Sequence, residues 1–273
     1  AVARFSMPNL PPSYRRGRMF DARSVRRPRT ETSTRENLPI PWHGCQIICS
    51  LFDGMFPGYR KCNTEYHNLT HTLDALLATS RLMDGRTSLK EKFDVKLAIN
   101  LHLAALLHDT GYIQEDWDIE GTGAKYTKSH VERSGAFVEK NAANFHLSPA
   151  DVKEISSLIM CTGLKADSHR GLKGEILEAG AILGTADLLG QMSDRAYLEK
   201  LLFLYYEFRE AEIDGFNTTY DILRNTLAFY ETTIERLDGP LNRSYDYALY
   251  HFRLRHRERK STRLNSSHVS QSR

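Results

Sequence analysis

The 273-residue chain has no uninterrupted apolar run of the roughly 18 residues that a membrane-spanning helix needs. It also has no N-terminal apolar h-region, so no secretory signal is visible. Cysteine is scarce. Cys45, Cys49, Cys62 and Cys161 are irregularly spaced, which points away from a disulfide framework and fits a reduced, cytoplasmic setting. Cys45 and Cys49 could start a zinc site, but no second Cys/His pair at finger spacing follows them. No segment alternates apolar and polar residues as a half-buried strand would, and no internal repeat is present. The net charge is only +3, so the chain as a whole is not a strong polyanion binder and nucleic acid is not an expected partner. What remains is ordinary for a globular protein: 41% hydrophobic and 26% charged residues, in a length that suits one large domain or two small ones.

The charge is unevenly placed. Residues 1–37 hold Arg15, Arg16, Arg18, Arg23, Arg26, Arg27, Arg29 and Arg35, with Pro8, Pro11, Pro12 and Pro28 and little apolar periodicity. The spacing predicts a basic, disordered arm or linker over residues 1–40. It is either a solvated connection to a missing N-terminal sensor domain or a contact to nucleic acid, membrane or a partner. A start at Ala1 rather than Met suggests a fragment. At the other end, residues 260–273 turn abruptly polar, lack a helix pattern and resemble translated adaptor sequence, so His268 carries no expected role.

From residue 64 onward the helical period dominates. Helices are expected near 64–83, 89–109, 129–144, 148–162, 175–191, 194–212, 217–237 and 241–258, with a loop rich in Gly and acids over 111–127 and another over 163–174. Gly111 stands where a helix C-terminal stop belongs. Ser129 with Glu132 reads as a capping box, and Ser148-Pro149 as a helix start. The aromatics of the 194–237 region, among them Tyr197, Phe203, Tyr205, Tyr206, Phe208, Tyr220, Phe229 and Tyr230, are expected to be core. The fold class is therefore all-α, in one domain over residues 41–259.

The chemistry centres on His108-Asp109, which closes the apolar run Leu101–Leu107. An unpaired carboxylate buried there costs several kcal/mol or takes up a proton, and a divalent metal removes that penalty. The rival reading, a turn residue bonded to nearby backbone, sits poorly with a carboxylate at the negative end of a helix dipole. Asp187 is embedded in the apolar segment 181–189, where it is either a metal ligand or a buried aspartate paired with one basic group. His67 and His71 are spaced to share one face of a helix, about 6 Å apart at the backbone, so that one can serve a metal and the other a substrate. His130 follows the helix start at Ser129, where free backbone N–H groups suit a phosphate. His169 is a further candidate for substrate phosphate or a second metal. His102 reads as a packed histidine, and His43, His146, His251 and His256 have no partner by spacing.

Together these segments resemble the HD superfamily of metal-dependent phosphohydrolases, in particular its cyclic-nucleotide phosphodiesterase branch. Tyr66-His67-Asn68-x-x-His71 is similar to that branch's Y-H-N-x-x-H motif, and His108-Asp109 to the defining pair. Ser129-His130 through Phe137 is similar to an N-H-H…G-F segment, Ile159–Thr162 through His169 to I-L-A-T-D…H, and Thr185–Leu188 to C-A-D-L. The likeness runs over roughly residues 60–215 in the family's order. It implies an HD/PDEase-like helical bundle with His71, His108, Asp109 and Asp187 around one metal. It also implies a second metal held by Asp109 and mostly by water, and His67 as proton donor. Two features depart from the branch. The pair continues as Thr110-Gly111-Tyr112 rather than x-D-H, and no counterpart of the purine-gripping Q-x-x-F segment is found.

The resemblance leads to an expected activity: hydrolysis of a phosphoric ester, most simply a cyclic or linear nucleotide diester, with His67 and Asp109 as catalytic residues. A hydroxide bridging two metals would attack phosphorus, and His67 would protonate the leaving alkoxide. Mixed N and O ligands suit Zn, Fe or Mn at the first site, and a water-rich second site suits Mg or Mn. The alternatives are another HD hydrolase (a nucleotidase or alarmone hydrolase), a di-iron oxygenase needing His130 and His169 as ligands, and a non-catalytic HD signalling module.

Overall fold

A computed structural model describes residues 40–90, 93–163, 169 and 171–255, all within one compact unit, Pro39–Arg273. The expected polar tail, and the expected basic arm up to residue 39, lie outside the described residues. The chain folds as α1 (Ile40–Phe52), α2 (Leu69–Thr87), α3 (Val95–Leu107), α4 (His130–Lys140), α5 (Pro149–Met160), α6 (Gly174–Met192), α7 (Tyr197–Glu210), α8 (Thr219–Asp238) and a helical segment, α9, over 246–255. Short 3-10 turns lie at Thr110–Tyr112, Gly123–Tyr126 and Ala142–Phe145. The fold is all-α. Among the described residues the one β feature is an isolated bridge between Tyr59 and Glu115.

The helix starts follow local hydrogen-bonding chemistry. Asn68 caps α2 by accepting from the amides of Thr70 and His71, and Asp94 caps α3 by accepting from Lys96. Ser148 and Asp151 form a capping box at α5, with Pro149 in its first turn. The expected box at Ser129 does not form. Its side chain makes no cap bond, and its hydroxyl turns back to the Tyr126 carbonyl. The first expected helix also starts later, at Leu69, and continues through Gly85 to Thr87. That glycine is tolerated inside the helix because the backbone of Tyr247 passes against it. A Cβ at Gly85 would lie 1.9 Å from the Tyr247 carbonyl oxygen.

The last turns of α3, Leu103–Leu107, are apolar on every side, which a helix can be only where it is surrounded. Leu101 and Leu103–Leu107 are completely buried, between α1, α2, α5 and α6. Each leucine so placed contributes about 1.5–3 kcal/mol of transfer free energy. α2 and α6 lie antiparallel on this core. His71, early in α2, meets Asp187, late in α6, while Arg86 near the end of α2 meets Glu178 near the start of α6. Gly190 lets the two backbones approach, since a Cβ there would be 3.2 Å from the Ala75 nitrogen. α7 and α8 hold a separate small cluster of Tyr197, Leu201, Tyr205 and Ile222. The expected aromatic core of this region is only partly realised: Tyr197 and Tyr205 are buried, but Phe203, Tyr206 and Tyr220 are exposed.

Candidate metal centre

The helices deliver four side chains to one point. His71 comes from the first turn of α2, His108 caps the C-terminus of α3, Asp109 follows it, and Asp187 comes from α6. His71 Nε2 lies 3.1 Å from Asp187 Oδ1 and 3.2 Å from Asp109 Oδ2. His108 Nε2 lies 3.3 Å from Asp109 Oδ2 and 3.6 Å from Asp187 Oδ1. Both imidazoles and Asp109 are buried, and Asp187 nearly so.

These are ion-pair distances without hydrogen-bond geometry. Nε2 of His71, Nε2 of His108 and Oδ2 of Asp109 are buried and have no hydrogen-bond partner. Buried polar atoms are paired almost without exception, so three orphans facing one another call for a missing partner. A divalent cation fits. With bonds of about 2.1 Å, neighbouring ligands around a metal lie roughly 3.0–3.4 Å apart, close to the observed edges. Asp187 Oδ1 and the two Nε2 atoms form a set within 4.8 Å of one another; Asp109 touches both imidazoles through Oδ2 but is not part of that set. His108 is further aimed by its own backbone, because Nδ1 hydrogen-bonds the Ala105 carbonyl at 2.8 Å and leaves Nε2 for the cluster. Gln191 donates to Asp187 Oδ1 and accepts from the Tyr66 hydroxyl.

Burial by itself would lower the imidazole pKa values and raise those of the carboxylates. Proximity overrides burial in both directions. Asp109 and Asp187 raise His71 to about 9 and also raise His108. The two histidines hold both carboxyls well below the usual range. Protons therefore compete with any cation for this site.

His67 does not share a helix face with His71. It precedes the Asn68 cap, in a bend of the chain, and its ring stands perpendicular to that of His71 with centroids 5.7 Å apart. Its Nδ1 lies 2.5 Å from Glu207 Oε2, and the other Glu207 oxygen accepts from the amides of Tyr66 and His67. The His67 ring stacks on Tyr112 at 4.3 Å, and Tyr112 stacks on His130 at 4.6 Å. His67 is thus fixed from one edge and one face.

His130 opens α4. Its Nδ1 bonds the Thr127 carbonyl at 2.7 Å, its Nε2 lies 3.9 Å from Asp109 Oδ1, and burial lowers its pKa. A neutral ring donating through Nδ1 offers a lone pair at Nε2. It can then accept from water or bind a cation, and it cannot donate to a phosphate oxygen. Gly111 makes this approach possible. It is not a left-handed helix stop, as its place in the chain suggests, but part of a 3-10 turn, and a Cβ there would sit 2.0 Å from the His130 carbonyl oxygen. Ser134 clasps the same turn, donating to the His108 carbonyl and accepting from the Gly111 amide.

His169 is not among the donors gathered at the cluster. It is half-buried, and burial with the nearby Arg236 charge lowers its pKa. His102 is packed between Ser80 and the Ala98 carbonyl. Three histidines without partners by spacing find them through the fold: His43 stacks on His146, and His251 pairs with Asp84. His256 lies outside the described residues. Glu207, Gln191 and Ser134 carried no signal in the sequence, because each acts from a helix whose docking brings it to the site.

His67, Tyr112, His130 and Asp187 open into a cavity of about 180 Å³, lined on its far side by α7 and α8. No curated protein and no solved structure matches this chain. A family profile described as Npun_R2479-like matches residues 116–238, under half of the chain. It takes in His130, Asp187 and Glu207 but not His71, His108 or Asp109, so this chain is similar to that family through α4 to α8 and the loop before them.

Proposed function

We propose that this protein is a metal-dependent phosphohydrolase acting on a phosphodiester. The observation that carries the reading is the set of orphaned, buried atoms on His71, His108 and Asp109, packed against Asp187, which lines the same cavity as His67. His71, His108, Asp109 and Asp187 are the residues that would hold a divalent cation. The Asp109 oxygen facing His130, with His130 Nε2, would meet a second cation or its water. Bound there, such cations supply Lewis-acid activation of water at neutral pH and neutralise phosphate oxygens.

The rest of the chemistry belongs to the chain. Glu207 accepts a hydrogen bond from Nδ1 of His67, which orients the ring and leaves Nε2 free for the substrate. His67 can then give its Nε2 proton to a leaving alkoxide, a step worth about 10²–10⁴ in rate. A diester with a poor leaving group needs that proton. Tyr112 keeps the imidazole from rotating, and the α7–α8 wall limits water access from the far side of the cavity.

The test is hydrolysis of bis(4-nitrophenyl) phosphate and of a diester with an alkoxide leaving group by Mn-loaded protein. Wild type should turn over both. His67→Ala should lose the alkoxide ester selectively while keeping its metal, because nitrophenolate departs without a proton. Loss of metal in His67→Ala would instead make His67 a ligand and overturn its role. Failure of the loaded wild-type protein on both esters would overturn the hydrolase reading.

A further inference from the structure

The cavity has two unlike ends. One is the His67, His130 and Asp187 end. The other is built from Leu201, Leu204, Phe208, Phe216, Ile222 and Phe229, all from α7, α8 and the loop between them. Its polar atoms are largely engaged. Gln191 uses both ends of its amide, on Tyr66 and Asp187. The Thr226 hydroxyl donates to the Ile222 carbonyl of its own helix, and Asn225 donates to Gly215. Among the described lining residues there is no lysine or arginine.

Resting on the phosphohydrolase reading above, we propose that the organic part of the substrate is an uncharged, mainly apolar aryl or alkyl group, seated against the α7–α8 wall. A nucleobase presents donors and acceptors along its edges, and on this wall most of them would be buried unpaired. A triphosphate or an alarmone brings several further negative charges, which recognition normally meets with arginine or lysine. An apolar group pays neither penalty and gains the contact area of the wall.

The proposal is tested by calorimetric titration of the full chain loaded with Mn²⁺. The probes are methylphosphonate, 2-naphthylmethylphosphonate, adenosine 5′-methylphosphonate and the neutral 2-naphthylmethanol. The naphthyl phosphonate should bind at least about tenfold more tightly than the methyl and adenosine phosphonates. Phe229→Asn should reduce that advantage, and the wild-type comparison decides the matter alone if this variant does not fold. Equal affinities, or tightest binding of the adenosine ligand, would overturn the proposal. Should the neutral alcohol bind as tightly as its phosphonate, the apolar wall stands and the phosphohydrolase reading fails.

Discussion

The antiparallel pair α2 and α6 carries buried charge at both ends, and the two ends are built differently. At one end Arg86 lies beneath the surface over the Phe93 ring and pairs with Glu178 at 2.9 Å; Lys90 and Tyr247 reach the other Glu178 oxygen. Opposite charges meet there, and the cluster is explained by the chain itself. At the other end His71, His108, Asp109 and Asp187 converge without hydrogen-bond geometry and leave three donor atoms orphaned. The two clusters differ in hydrogen bonding: both oxygens of Glu178 accept hydrogen bonds from the chain, whereas three atoms of the His–Asp cluster have none. Burial and charge alone do not mark a site; several unsatisfied atoms converging on one point do.

Four changes would break or sharpen that contrast. The largest effect is expected from Asp187→Asn, which should remove most bound metal and the hydrolysis that depends on it, measured on the same preparation with circular dichroism to confirm folding. Turnover kinetics on an alkoxide diester should next show His67→Ala slower by about 10²–10⁴-fold at unchanged metal content. At the opposite end, Arg86→Leu should cost about 3 kcal/mol of stability in urea unfolding, because it strips Glu178 of its buried cationic partner, yet leave metal stoichiometry intact. If Arg86→Leu emptied the metal site, the two ends would be one coupled network and the contrast would collapse. Glu207→Gln should lower turnover more mildly than loss of His67 itself, since the imidazole loses its carboxylate partner but keeps its stack on Tyr112.

The smallest effect is a pH dependence. Burial would raise the carboxyl of Glu178, but hydrogen bonds from Arg86, Lys90 and Tyr247 hold it at about 2 against an ordinary 4.5. A lowered folded-state pKa contributes stability above the unfolded value, lost as pH falls from about 4.5 toward 2. Glu178→Gln should therefore flatten that part of the acid unfolding curve and leave the neutral region parallel to wild type.

Much of this was legible in the sequence because it is local. An all-helical chain follows from the 3.6-residue period, and the start of α5 from Ser148-Pro149. His108-Asp109 and Asp187 stand out because each sets a polar group inside an apolar run. The boundary errors share a cause. The expected helix over 64–83 includes His67, yet Asn68 caps α2 one residue later and leaves His67 in the bend before the helix. Gly111 reads as a stop but is needed for the close pass of the His130 backbone, a tertiary fact. Glu207 could not be told from Glu199 on the same helix. One is buried against His67 and the other is exposed, and only the docking of α7 distinguishes them. The aromatics of α7 and α8 misled for the same reason: period predicts a face, and the fold decides whether that face meets core, cavity or solvent.

The most direct measurement is the metal content of the purified full chain, by elemental analysis after equilibration with Mn²⁺ or Zn²⁺ and removal of free ion, with Asp187→Asn and Arg86→Leu alongside. Tightly held metal in wild type and Arg86→Leu, with little in Asp187→Asn, is the predicted result. A folded wild-type protein that retains none, or equal metal in all three, would contradict it.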